Sequence, residues 1–152
     1  MSAPVHFDDI QVGAKWRSTG RTLTEADLHD ACMSSGDWHP IHADAEYARN
    51  TPLGQRIFQG SYGLHIAFGI ATKFPELGDA VIAALGFSSW RYLAPLFVGD
   101  TVHVEVEIVG KRPTTDGHRG VIERKIKLLN QSGQVAQDGV AQTLVRRDGG
   151  LT

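Results

Sequence analysis

Cysteine is almost absent from the sequence, and so are long hydrophobic runs. Cys32 is the only cysteine among 152 residues, which excludes an internal disulfide and fits a reducing compartment. No apolar run approaches the roughly 18 residues that a membrane-spanning helix needs. The first residues also lack the basic and apolar regions of a secretory signal. We therefore expect a cytoplasmic protein that does not contact membranes.

A strong charge of either sign is also missing. The 15 basic and 17 acidic residues give a net charge of -2, and the basic residues do not cluster strongly. This pattern argues against nucleic acid or an anionic membrane as the main partner. The length suits one domain, which we place at residues 1–147. Residues 148–152 include two adjacent glycines and are expected to form a flexible tail.

The first half of the chain contains two helical patterns. The segment TEADLHDACMSSG predicts a helix with Thr24 as its N-cap and Gly36 as its end. The segment SYGLHIAFGIATKF, entered through Gly60, is apolar almost all round. Because a helix of that kind is normally buried, we expect it to lie in the core, with His65 as a core histidine.

The second half predicts strands. Turn signals separate four segments that are rich in strand-forming residues: AVIAALGFSSWRYLAP, TVHVEVEIVGKR, GVIERKIKLLN and QVAQDGVAQTLVRR. In the second segment, valines alternate with polar residues, which predicts one buried face and one wet face that carries His103. The predicted fold class is therefore α+β, with one buried helix laid on an antiparallel sheet. The sheet's uncovered edges predict a homodimer, because pairing removes exposed edges.

The stretch SSGDWHPIHADAEYA, at residues 34–48, carries the strongest functional signal. It places Asp37 and His42 in a loop shaped by Gly36 and Pro40, where the two side chains can face the same space. Such a pair can hold a water molecule, and a histidine can take and return a proton near neutral pH. The alternative is a plain turn capped by Asp37, which is the more common arrangement on composition alone.

A metal site is a further alternative for the same stretch. Asp37, His39, His42 and Asp44 all carry groups that can bind a metal ion. However, a His-x-x-His pair without a third firm ligand is a weak zinc signal. We therefore expect no metal and no cofactor here.

The same residues resemble the signature of the (R)-specific enoyl-CoA hydratases, also called MaoC-like dehydratases. The family pattern runs Ser-Gly-Asp, any residue, Asn-Pro, an aliphatic residue, His, five residues and a small residue. Seven positions match in place: Ser35, Gly36, Asp37, Pro40, Ile41, His42 and Ala48. His39 stands where the family has Asn, and Gln59 stands where a His usually precedes the glycine matched by Gly60. The stretch FSSWRYLAPLFVGDTVHVEVEI resembles the family's later strands.

The resemblance implies a hot-dog fold, in which an antiparallel sheet wraps a long helix, usually as a dimer. It also implies reversible addition of water to a trans-2-enoyl-CoA, so the partner would be an acyl-CoA thioester. Asp37 and His42 would bind and activate the water. Addition places charge on the thioester oxygen, which a backbone N–H at a helix N-terminus can stabilise. Gly60 is the candidate for this donor, or else it is only a helix-entry residue.

The resemblance also suggests supporting residues. His39 would fill the place of the family Asn, and Ser61 would bind substrate or cap the helix. Trp38, Phe58, Tyr62 and Phe68 would line the acyl pocket, or they are ordinary core residues. Arg91 would meet a carboxylated acyl group, or it sits at an exposed strand edge. Candidates for the CoA phosphates are chosen by charge alone: Lys111, Arg112, Arg124, Arg146 and Arg147.

Two other functions stay open at this stage. A hot-dog thioesterase would share the fold and the ligand, but it would present an acidic residue on or beside the central helix. Here Asp37 and His42 lie upstream of that helix. A non-catalytic acyl-CoA-binding module would have lost its activity, and the altered His39 and Gln59 would mark that loss. Retention of both Asp37 and His42 speaks against this second alternative.

Overall fold

The computed structural model describes residues 5–75 and 77–147, so the predicted tail at 148–152 lies outside the described residues. A short 3₁₀ helix, Phe7–Asp9, precedes strands β1 (Lys15–Arg17) and β2 (Arg21–Thr22). Four helices follow: α1 (Glu25–Ser35), α2 (Pro40–Ala43), α3 (Ala45–Arg49) and α4 (Gly60–Ala71). Four long strands complete the fold: β3 (Val81–Tyr92), β4 (Thr101–Pro113), β5 (Arg119–Leu129) and β6 (Val135–Arg146).

The strands form one antiparallel sheet with α4 packed on it. The strand order is β1-β4-β5-β6-β3, and β2 also pairs with β4. The valines predicted to face the core, Val102, Val104 and Val106, are all buried against α4 and its neighbours. This arrangement confirms the predicted α+β class. In the described part of the chain, no helix is long and apolar enough to cross a membrane.

Helix α1 begins and ends where the sequence predicted. The Thr24 side chain accepts a hydrogen bond from the Asp27 N–H, and the Asp27 carboxylate accepts one from the Thr24 N–H. This reciprocal arrangement satisfies two N–H groups at the start of the helix. At the other end, Gly36 adopts a φ of 72°, and its N–H donates to the Cys32 carbonyl. The left-handed conformation favours glycine at this position.

Two predictions about histidines are wrong. His65 is exposed rather than buried in the core, because α4 buries only the face that carries Gly63, Ile66 and Ala67. His103 is only 8% exposed, although it lies on the predicted wet face of β4. Its register partner Leu129 is buried as well. Burial lowers the pKa of His103, and the nearby charge of Arg17 lowers it further.

Strand β3 presents an apolar edge. Within the described residues, β3 pairs with β6 alone, so its other edge is open. Its exposed large apolar side chains are Val81, Ile82, Leu85, Phe87 and Tyr92, which are 45–60% exposed. A long apolar edge of this kind is normally covered by another chain or element. The open edge of β3 is therefore the surface through which the predicted homodimer would form.

Candidate active site

A chain of short-range hydrogen bonds fixes the loop that carries Asp37. The Asp37 N–H donates to Ser35 Oγ at 3.1 Å, and Asp37 Oδ1 accepts from the His39 N–H at 3.1 Å. His39 Nδ1 then accepts from the Ile41 N–H at 3.2 Å and so caps α2. Pro40 occupies the first position of α2, where its missing N–H costs nothing. The loop is therefore an Asx turn that leads directly into a capped helix.

His42 lies on α2 and faces Asp37. Its Nδ1 lies 2.7 Å from the Ile57 carbonyl oxygen, and because a carbonyl only accepts, Nδ1 carries the proton. In the neutral ring, Nε2 is then unprotonated and lies 3.5 Å from Asp37 Oδ2. The His42 side chain is 10% exposed and the Asp37 side chain 47% exposed. The pair thus combines a buried proton acceptor with a carboxylate that solvent or a ligand can reach.

Gly60 is the first residue of α4. Among the described residues, its N–H has no acceptor, as is usual for the first turn of a helix. Its carbonyl accepts from Gln137 Nε2 at 2.9 Å, and Gln137 Oε1 accepts from Trp90 Nε1 at 3.0 Å. A Cβ at Gly60 would lie 3.0 Å from the Tyr92 ring. Two explanations for a glycine at this position are therefore open. The glycine leaves room for a ligand at its N–H, or it leaves room for the Tyr92 ring.

Gln59 joins the Asp37 loop to the start of α4. Its Nε2 donates to the Asp37 carbonyl oxygen at 3.1 Å and to Cys32 Sγ at 3.3 Å. The side chain is 4% exposed. Because Gln59 immediately precedes Gly60, this bond connects the Asp37 loop with the first residue of α4. The sequence indicated only that Gln59 departs from the family pattern, and its partners are set by tertiary contacts.

A groove of about 360 Å³ runs beside Gly60. Its walls come from the segment before α4, from the end of β3 and from β6: Leu53, Ile57, Phe58, Gln59, Gly60, Tyr92, Leu93, Ala94, Pro95, Leu96 and Gln137. The carbonyl of Ile57 is also the group that holds His42. The groove is lined mainly by apolar side chains and contains a free backbone donor, which suits an acyl thioester.

Phe58 and Tyr62, two of the aromatic candidates for the acyl pocket, make different contacts. Phe58 is buried and lines the groove. Tyr62 stacks on Phe58 with ring centroids 5.3 Å apart, but its hydroxyl donates to Asp27 Oδ1 at 3.1 Å. Burial raises the pKa of Tyr62, and the charge of Asp27 raises it further. The Tyr62 hydroxyl is thus engaged in holding α4 to α1.

Four other candidates lie at the surface. Trp38 is exposed beside Asp37, and Ser61 is exposed on α4 without capping it. His39 caps α2, so its Nδ1 supports the loop. Arg91 forms two hydrogen bonds with Asp138, at 2.8 and 3.0 Å. This pairing corresponds to the alternative in which Arg91 sits at an exposed strand edge.

The basic residues considered for CoA phosphates have different surroundings. Lys111 donates to backbone carbonyls of the N-terminal segment, and Arg146 and Arg147 each pair with an aspartate. Arg112 is exposed. Arg124 is buried, at 6% exposure, so it cannot meet a phosphate at the surface. The sequence showed only the charge of these five residues, which does not tell whether each one is buried, paired or exposed.

The residues considered for a metal site have other partners in the structure. In residues 5–75 and 77–147, no three His, Cys, Asp or Glu side chains converge as a ligand set. His39 Nδ1 and His42 Nδ1 are both held by backbone groups.

Comparisons with known proteins show a family match and several similar relatives. Residues 5–128 match the family model described as MaoC like domain. Mesaconyl-CoA hydratase of Cereibacter sphaeroides is 28% identical over 109 residues, which cover 72% of this chain and 31% of that protein. The (R)-specific enoyl-CoA hydratase of Rhodospirillum rubrum is 29% identical over 109 residues, which cover 71% of this chain and 72% of that protein.

The fold has solved counterparts. A monoamine oxidase regulatory protein from Archaeoglobus fulgius superposes with a TM-score of 0.88 at 33% identity, covering 95% of this chain and 96% of that chain. The hot-dog fold expected from the sequence is confirmed. The chain spans 31%, 34% and 40% of the length of the first three curated relatives.

Proposed function

Because the chain belongs to the family of MaoC-like domains, we propose that it catalyses reversible addition of water to a trans-2-enoyl-CoA, giving the (R)-3-hydroxyacyl-CoA. The family includes proteins named as CoA hydratases and dehydratases. One observation carries the proposal: His42 Nε2 and Asp37 Oδ2 lie 3.5 Å apart, and Gln59 ties their loop to the free N–H of Gly60. These contacts support the proposal, because hydration requires proton-transfer groups and an oxyanion donor in one site.

In the proposed mechanism each group has one role. A water molecule that is hydrogen-bonded to both Asp37 and His42 loses a proton to His42 Nε2, and its oxygen attacks Cβ of the enoyl group. The electrons of the double bond move toward the thioester, whose oxygen becomes an enolate bound by the Gly60 N–H. The proton held by the pair then passes to Cα on the same face, which completes the addition. The Asp37 carboxylate stabilises the imidazolium while His42 carries the proton.

The substrate assay must separate hydration from thioester hydrolysis. Purified protein is incubated with crotonyl-CoA and octenoyl-CoA, and the loss of the conjugated double bond and the release of free thiol are followed independently. We expect the double bond to disappear without thiol release, and the product to be the (R)-alcohol. Thiol release as the faster reaction would show a thioesterase. Binding without either reaction would show a non-catalytic acyl-CoA-binding module.

We also propose that the working form is a homodimer joined along β3. The open edge of β3 can pair with the same edge of a second copy, and the pairing would cover the exposed Leu85 and Phe87. Light scattering should give a mass close to twice 16.5 kDa. Phe87→Glu should shift the protein toward the monomer, whereas Val109→Glu, an exposed position on β4, should leave the dimer intact. A wild-type monomer with full activity would contradict this assembly.

A further inference from the structure

Arg124 is a positive charge placed among core side chains. It lies on β5 between Ile122 and Ile126, on the same face of the strand, and is 6% exposed. Its guanidinium carbon lies 5.8 Å from the centroid of the Phe68 ring on α4. Burial lowers the pKa of Arg124, yet arginine stays protonated in proteins. The charge is therefore present beneath the helix.

No anion of the described chain neutralises this charge. Within residues 5–75 and 77–147, Arg124 forms no ion pair, and its Nε–H is buried without an acceptor. By contrast, Arg91 forms two hydrogen bonds with Asp138. An unpaired buried charge is costly, and a single aromatic ring offsets only part of that cost. The guanidinium thus has unused capacity to bind an anion.

A second unpaired polar group lies next to it. Thr143, on β6, is 1% exposed, and its Oγ1 is buried without a hydrogen-bond partner. The strand register sets Arg124 opposite Ala141 and Thr143 opposite Ile122. Arg124 and Thr143 are therefore diagonal neighbours on one face, a separation that long side chains can bridge. Because Ala141 is small, a carboxylate placed beside it would be able to accept from both the guanidinium and the hydroxyl.

A stripe of α4 connects this place with the candidate oxyanion donor. Gly60, Leu64 and Phe68 are spaced four residues apart and are all half-buried, so they share one helical face. From Gly60 to Phe68 the helix rises about 12 Å. An acyl chain that left the Gly60 N–H along this stripe would end beside Phe68 and Arg124.

The sheet gives an independent measure of the same separation. Gln137 binds the Gly60 carbonyl, and Ala141 is the register partner of Arg124. The two residues lie four positions apart on one face of β6, roughly 13 Å along the strand. Helix and strand therefore agree on the distance between the donor and the buried cation.

We propose that Arg124 and Thr143 bind the terminal carboxylate of the acyl chain, so that the preferred substrate is a dicarboxylic enoyl-CoA of medium chain length. This inference rests on the proposed function, because it takes the Gly60 N–H as the point where the thioester oxygen binds. The planar guanidinium matches a carboxylate. The surrounding Phe68 and Ile126 suit an acyl chain and not the nucleotide end of CoA.

The test measures binding without turnover. Calorimetry compares suberyl-CoA with octanoyl-CoA, which have equal chain length and differ in the terminal carboxylate. We expect the wild type to bind suberyl-CoA at least about tenfold more tightly. Arg124→Met, which keeps an apolar side chain of similar length, should bind both thioesters equally, with the affinity for octanoyl-CoA unchanged. Arg112→Met, which removes an exposed arginine on β4, is the matched control and should keep the preference.

Several outcomes would overturn the inference. Equal affinity of the wild type for both thioesters would do so, and so would a preference that persists in Arg124→Met. If Arg124→Met became monomeric and lost affinity for both thioesters alike, the arginine would instead pair with a carboxylate of a second copy. Should that variant not fold, Thr143→Val carries the test, and an unchanged preference there would refute the shared site. A failure of the proposed function would give a different result. The wild type would then leave octenoyl-CoA and octenedioyl-CoA unreacted in the hydration assay, while calorimetry would still show tighter binding of suberyl-CoA.

Discussion

Replacing Gly60 with Val tests whether this glycine leaves room for a ligand or only for the neighbouring Tyr92 ring. A Cβ at Gly60 lies 3.0 Å from the Tyr92 ring, and forced overpacking typically costs about 1–3 kcal/mol. However, Tyr92 is 60% exposed, so its ring can rotate into solvent. Valine also has a better helix propensity than glycine, by roughly a few tenths of a kcal/mol. We therefore expect the free energy of unfolding to change by less than about 1 kcal/mol.

Activity should change far more than stability. The branched side chain lies where the thioester oxygen approaches the Gly60 N–H, and loss of one oxyanion donor lowers turnover by roughly 10²–10³. The assay is hydration of crotonyl-CoA, with a urea titration to measure stability. Full activity in a folded Gly60→Val protein would refute the donor role.

A double variant separates the two explanations for the glycine. Tyr92→Ala removes the ring that limits space at Gly60. If Gly60→Val acts only by displacing Tyr92, then Gly60→Val with Tyr92→Ala should be as active as Tyr92→Ala alone. We expect instead that the double variant stays as impaired as Gly60→Val, because the valine itself blocks the N–H.

Two further predictions concern stability. In Gly63→Ala the new Cβ would lie 2.1 Å from Gln137 Nε2, so overpacking should destabilise the protein by about 1–3 kcal/mol in urea. Gly69→Ala meets nothing within 4 Å and should stabilise it by about 1 kcal/mol; equal stabilities would contradict this account. Burial opposes ionisation of Asp27, but hydrogen bonds from Thr24, the charge of Arg21 and a hydrogen bond from Tyr62 together lower its pKa below 3.8. The stability that Asp27 adds is therefore present above pH 3.8 and lost as the pH falls through its folded-state pKa, and Asp27→Asn should flatten this acid limb in thermal melts.

Local sequence patterns predicted the features that depend on neighbouring residues. Thr24 and Gly36 bound α1 because capping needs only side chains within one turn. Asp37 and His42 face each other because they are five residues apart, across the turn that leads into α2 at Pro40. Each of these arrangements uses contacts that the order of residues largely determines.

Contacts between distant segments could not be predicted in the same way. Alternation along β4 indicated which face carries His103, but not that the face is covered there. Arg91 meets Asp138 through the register of β3 with β6, and this register cannot be read from composition. Gln59 was visible only as a departure from the family pattern, whereas its bond to Asp37 joins residues 22 positions apart.

The most direct test of the proposed chemistry is the rate of stereospecific water addition to crotonyl-CoA in the wild type, Asp37→Asn and His42→Ala. Each variant should keep its fold and assembly in a thermal melt, because Asp37 is half-exposed and His42→Ala removes a single side-chain hydrogen bond, to the Ile57 carbonyl. Each should slow hydration by roughly 10²–10⁴, and the double variant should be little worse than the poorer single one, because the two act on one water. His65→Ala, an exposed histidine on α4, should retain the wild-type rate. A wild-type rate in folded His42→Ala would contradict the mechanism.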